Sequence, residues 1–154
     1  MKPVLPLLLL CGLLSSCKKM EAYQRGCESF YRVPDIAART SALTAAKGKW
    51  AAANLQNYSY TLRYGFSGMV SGTQNVSVRG GQVASSSSTG QTMEQLFGDV
   101  ESKMAKATKP NACVMLEASY DAADGHVLSS SFQNVQQGLQ DAFGGYSITA
   151  FHRE

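Results

Sequence analysis

One stretch limits the fold more than any other. Between positions 57 and 66, Tyr58, Tyr60, Leu62, Tyr64 and Phe66 alternate with Ser59, Thr61, Arg63 and Gly65. Side chains on a strand point to opposite faces at every step, so this period-two pattern predicts a half-buried antiparallel strand. A helix would scatter the same five residues around its axis. The chain must therefore build a sheet with one apolar and one polar face, and something must cover the apolar one.

The neighbouring segments supply both the other strands and the cover. Val76 and Val78 repeat the alternation briefly, Gly80-Gly81 forms a hairpin turn, and Val83 opens a return strand. Ser85 to Ser88 read as a polar loop. A strand is expected from Ala112 to Asp121, with Val114, Leu116, Ala118 and Tyr120 on one side. Asp124-Gly125 turns the chain into a returning strand from His126 to Phe132, and Tyr146, Ile148 and Ala150 alternate in a last strand.

Two helices are expected around these strands. Asp35 caps one that runs to about Asn54, with Ile36, Leu43 and Trp50 recurring every seven residues. Gly48 weakens its interior by roughly 1 kcal/mol relative to alanine, which leaves a break there open. Thr92-Met93-Glu94-Gln95 is a capping box, in which threonine and glutamine side chains satisfy free amides at a helix start. Behind it Met93, Leu96, Phe97, Val100, Met104 and Ala107 share one face, and Lys109-Pro110 ends the helix. A third, short helix over 134–143 would carry Val135, Leu139 and Phe143. The expected fold is α+β: a largely antiparallel sheet of about five strands with two or three helices on one face.

The N-terminus sets the compartment. Lys2 gives a basic start, Val4 to Leu14 form an apolar stretch too short to span a bilayer, and Ser15-Ser16 precede Cys17. Leu14-Ser15-Ser16-Cys17 resembles the bacterial lipobox, which implies cleavage before Cys17 and a lipid on its sulfur. Each buried methylene of such a lipid contributes about 0.8 kcal/mol, so a diacyl group would hold the chain firmly. The bland alternative is an ordinary secretory leader with a chance cysteine. Residues 1–16 are thus expected as signal peptide, 17–34 as lipidated tether and 35–154 as one domain. Lys18 stands where an aspartate often marks inner-membrane retention, favouring the outer membrane, facing the periplasm.

After removal of the leader and lipidation of Cys17, Cys27 and Cys113 remain. An even pair in an oxidising compartment is consistent with a disulfide; two unpaired thiols are the alternative. The formal charge of +3 is mild and no basic stripe appears, so nucleic acid is not an expected partner.

The search for chemistry finds little. Asp121, Asp124 and His126 are the densest polar cluster, able in principle to hold a cation or move a proton. An Asp-Gly hairpin turn, favoured by backbone geometry alone, is the preferred explanation. His126 and His152 are the only imidazoles, there is no Cys-x-x-Cys, and no nucleophile elbow or phosphate loop appears. No catalytic residue, metal site or cofactor is expected. Tyr58, Tyr60 and Tyr64 are either core or an open sheet face offered to a partner, and with Asp121, Asp124 and His126 they form the candidate interaction surface.

Several stretches together resemble a bacterial family known as domain of unknown function 6174. They are Lys49-Trp50 before Asn57-Tyr58-Ser59-Tyr60-Thr61, then Val76 to Val83, Thr92 to Phe97, Tyr120-Asp121 leading to Gly125, and Tyr146-Ser147-Ile148. The chain departs from that pattern at Gly65-Phe66-Ser67-Gly68, where cysteines are expected, and at His126-Val127, where an aromatic-proline pair is expected. The resemblance implies architecture and no activity. The function expected from the residues is a membrane-anchored, non-catalytic envelope module that binds a protein or cell-wall partner. The alternative is an inhibitor of a periplasmic or secreted hydrolase, presenting the turn near Ala122 to His126 or the stretch Ser85–Gly90. An enzyme would need a pocket joining His126 or His152 to carboxylates.

Overall fold

The alternating segment becomes β1 (Tyr58–Phe66), and the rest of the domain assembles on its inner face. The computed structural model describes residues 35–66, 69–86, 90–109, 114–134 and 143–154. All of them fall in one unit, Pro34–Glu154. In chain order the other elements are α1 (Ile36–Ala53) before β1, then β2 (Met69–Arg79), β3 (Gln82–Ser86), α2 (Met93–Ala107), β4 (Val114–Tyr120), β5 (Val127–Asn134) and β6 (Phe143–Arg153). The signal peptide, the lipidation site Cys17, the tether and both cysteines of the expected disulfide, Cys27 and Cys113, lie outside the described residues.

The six strands form one sheet in the order β3-β2-β1-β6-β5-β4, antiparallel at every pairing. Six strands are present where about five are expected, and β2 and β6 are the longest, eleven residues each. Of the expected third helix, residues 135–142 lie outside the described residues. Its outer positions, Asn134 and Phe143, belong instead to β5 and β6. Two helices, both against one face, complete the described architecture.

α1 starts at Asp35, whose Oδ1 accepts from the Ala38 amide at 3.0 Å. It passes Gly48 without a break and stops at Asn54, which takes the left-handed conformation. Leu43, Ala46 and Trp50 are its buried side chains. α2 opens on the capping box: Thr92 and Gln95 each satisfy the other's amide. Its six expected core residues are all buried.

The tyrosines of β1 join the sheet to the helices. Tyr58 meets Trp50 edge to face at 5.2 Å, and its hydroxyl accepts from the Met93 amide at 2.8 Å, a free donor of the α2 first turn. The Tyr60 hydroxyl donates to the Gln91 carbonyl. Trp50 Nε1 donates to Glu94 Oε1 at 2.8 Å. Burial pushes the Tyr58 phenol up to about 12, so it stays neutral at physiological pH. Tyr58 and Tyr60 are 1% and 2% exposed. The open-face reading of these two is therefore corrected: a tyrosine whose tip is needed by a helix N-terminus belongs inside.

The last strand also departs from simple alternation. Its pairing with β1 shifts between Ser59 and Thr61, and Ala150 adopts a positive φ of 51°. The shift turns Ala150 outward and brings Phe151 to the core instead, stacked on Tyr58 at 5.7 Å.

Candidate functional site

The inner face of the sheet is covered over Tyr58, Tyr60 and Leu62, but the same stripe continues to Tyr64 and Phe66. These two are 42% and 50% exposed, the large hydrophobic side chains left in the open among the described residues. Beside them lies a cavity of about 650 Å³, lined by β1, β2, β6, the Phe132 position of β5, Gln91 and the α2 wall. That volume lies within the range of sites that hold small molecules.

Cross-strand register builds its floor. One row runs Gly72–Tyr64–Tyr146–Ser130–Ala118, and the next runs Phe66–Gly144–Phe132–Leu116. Absent side chains shape this floor. The Tyr64 ring lies over Gly72, where an added Cβ would fall 2.3 Å from the ring. A Cβ at Gly144 would meet nothing within 4 Å, so it would project into open space. Leu62, paired with Gln74 on one side and Ile148 on the other, forms the deep end.

Gln74 is the unusual member of the lining. It sits inward on β2 in line with Val76 and Val78, is 4% exposed, and its Nε2 is buried with no hydrogen-bond partner. A buried amide nitrogen without an acceptor costs about 1–3 kcal/mol. Such groups are rare in folded chains, and a ligand acceptor would remove the penalty.

The α2 wall carries charge that cancels itself. Lys103 Nζ sits 2.7 Å from Asp99 Oδ2, donates to Ser130 Oγ at 3.1 Å and lies 4.9 Å above the Tyr146 ring. The Tyr146 hydroxyl reaches the Leu96 carbonyl at 3.3 Å. Burial, with the Asp99 carboxylate next, pushes the Tyr146 phenol well above its ordinary value, so it is a neutral group.

The candidate surface of the sequence analysis is dispersed by the fold. Tyr64 joins the groove, while Tyr58 and Tyr60 are core. Asp121, Asp124 and His126 do come together, with ligand-type atoms within 4.8 Å, but as an internal brace. Asp121 Oδ1 accepts from the Ala123 and Asp124 amides at 2.8 and 3.1 Å. Asp124 Oδ1 accepts from the His126 amide at 3.0 Å and faces His126 Nδ1 at 2.6 Å; its Oδ2 faces Arg153 at 2.7 Å. The His126 ring stacks on Phe151 at 4.0 Å. Asp124 and His126 are 3% and 6% exposed, which corrects their expected place on an interaction surface. Burial raises the Asp124 carboxyl, but the His126 amide and imidazole and Arg153 outweigh it and hold the group below its ordinary range.

Gly125 explains why the turn folds inward. It has a φ of +79°, and a Cβ there would lie 2.2 Å from the Ala46 carbonyl oxygen, so the loop packs flat on α1. Neither His126 nor His152 lines the groove. His152 instead borders a shallow hollow on the outer face with Ser59, Ser77 and Ser85.

Sequence reasoning missed Gln74, Phe66, Asp99, Lys103, Phe132 and the glycines of β6. The available signal was parity: Gln74 is a polar residue at an inward position of its strand.

The family model described as "Family of unknown function (DUF6174)" matches residues 42–152, and the chain belongs to that family. The match takes in every element that lines the groove. The chain matches no curated protein and no solved structure.

Proposed function

We propose that this member of the DUF6174 family is a non-catalytic binding module, held at a bilayer surface by a lipid on Cys17, whose groove receives its partner. One observation carries the reading: Gln74, whose buried amide nitrogen has no partner, lines a cavity that the exposed rings of Tyr64 and Phe66 also line. A chain that needed only a core would place an apolar side chain at position 74. The non-catalytic part is supported by the commitments of the one carboxylate–imidazole pair among the described residues. Asp124 and His126 hold a loop, an arginine and an aromatic ring, away from the groove. The inhibitor alternative draws no support from the Ala122 to His126 turn, whose Asp124, Gly125 and His126 are buried.

The anchor is supported by the leader and by Leu14-Ser15-Ser16-Cys17, a pattern consistent with a lipid-modified sulfur at the mature N-terminus. The outer membrane of a bacterial envelope is the favoured location, from Lys18.

A photo-crosslinking residue placed at Phe66 in intact cells tests the groove; the same residue at Ser119, on the outer face, is the control. The expected result is an adduct from position 66 that fades when Gly144→Val fills the cavity. No adduct, or equal adducts from both faces, would overturn the reading. Mass spectrometry of the mature chain tests the anchor. A lipid-bearing Cys17 is expected, and a freely released chain with an unmodified thiol would refute it.

A further inference from the structure

We infer that the groove takes a short, neutral saccharide; the inference rests on the groove being the binding site. Charge comes first. Among the described residues, Lys103 and Asp99 are the charged groups of the lining, and they form an ion pair at 2.7 Å. A charged ligand would lose hydration without gaining an unpaired counter-charge.

Apolar ligands fail for the opposite reason. An acyl chain would cover Gln74 Nε2 without offering an acceptor, leaving the buried donor still unpaired. A peptide in extended form is recognised chiefly by pairing with a free strand edge. Of the strands beneath the groove, β1, β6 and β5 are flanked on both sides, and the edge that β2 leaves open before Val76 lies in the plane of the sheet, beside the groove and not on its face.

What remains must be neutral, must present flat C–H surface to aromatic rings, and must carry acceptors within reach of a buried amide. A pyranose ring does all three. Its C–H face can lie on Phe66 or Tyr64, and its hydroxyl or acetamido oxygen can accept from Gln74 Nε2 once a turn of that side chain brings the buried nitrogen to the cavity wall. Gln91 provides a second amide at the rim. This division of labour, aromatic faces for area and a few placed polar groups for orientation, is how small-ligand sites achieve specificity.

The test uses the full chain in lipid nanodiscs, with the Gln74 side-chain amide followed by NMR. The probes are the neutral trimer of N-acetylglucosamine, a trimer of galacturonate and an uncharged tripeptide. The neutral trimer should shift the Gln74 amide and the Tyr64 and Phe66 ring signals. Gln74→Leu should weaken it about tenfold, the loss of one well-placed hydrogen bond. Gly144→Val, whose Cβ would meet nothing within 4 Å, narrows the groove and should abolish it. The galacturonate trimer and the tripeptide should bind more weakly.

No shift with the neutral trimer, binding indifferent to both variants, or preference for the charged trimer or the peptide would overturn the inference. If it falls while the position-66 adduct persists in cells, the ligand class is wrong and the groove reading survives. If both are absent, both fall.

Discussion

Replacing Gln74 by leucine should make this protein more stable. In the native chain the Gln74 nitrogen is buried with no acceptor, beside Leu62 and in line with Val76 and Val78. Removing an unsatisfied buried donor recovers about 1–3 kcal/mol. Leucine has similar bulk and adds apolar contact, while its branched shape fits the site less well than the amide; the net expectation is about 1–2 kcal/mol. For a domain of this size each kcal/mol moves Tm by about 4 °C, so the midpoint should rise by about 4–8 °C. Thermal and urea unfolding of the two chains at neutral pH measure this, with the urea slope unchanged. Gln74→Ala is the control of opposite sign, because a smaller side chain leaves a cavity that outweighs the relieved amide. A leucine variant that melts at or below the native chain would refute the reasoning. The amide would then be satisfied in the native protein, and the strongest sign of a ligand site would be gone.

Other expectations concern the brace and the backbone. The Asp124 carboxyl is held below its ordinary value of 3.8, so its contribution to stability is present above that value and lost as pH falls through the lower folded one. Asp124→Asn should cost about 2 kcal/mol at neutral pH and flatten the acid limb of a stability–pH curve below about pH 4. An unchanged acid limb would exclude Asp124 as its source. Gly125→Ala should cost about 2–4 kcal/mol, since it combines a positive φ with a Cβ pressed on the Ala46 carbonyl. Gly48→Ala, in mid-helix with open space around the new methyl, should instead add up to about 1 kcal/mol. Urea midpoints separate the two glycines, and a loss at Gly48 would contradict the helix reading.

Elements written in local pattern were legible in the sequence. The alternation of Tyr58, Tyr60 and Leu62 and the capping box at Thr92 are decided by neighbours two to four residues away, and both stand as expected. β2 was only half visible. Ser71 to Asn75 carry no apolar alternation, and this stretch is a strand because β1 pairs with it. β6 misled through Ala150, whose positive φ moves the inward position to Phe151. No periodicity rule anticipates a register shift created by a partner strand. The Asp121–His126 segment read correctly as a turn and wrongly as surface, because composition says nothing of the Ala46 carbonyl on which Gly125 lands. The groove joins residues from four strands and a helix, so only the parity of Gln74 hinted at it.

The position of the groove follows from how the elements are tied. Tyr58 and Tyr60 fix the start of α2 over the beginning of β1, and from there α2 packs against β4 and β5. β1 rises about 3.4 Å per residue, so Phe66 stands about 27 Å from Tyr58 along the strand. Among the described residues, no helix follows β1 to that end. There Asp99 and Lys103 of α2 form one wall, and the rest of the inner face must be closed by side chains of the sheet itself. Instead Gly72 lets the Tyr64 ring lie flat, Gly144 leaves open space, and Gln74 brings a polar group where valine would seal the gap. These three departures from core packing are adjacent, and the buried amide among them is destabilising alone. Together they make a lined cavity with a donor at its base, and a bound acceptor is the one addition that relieves the donor while using the space.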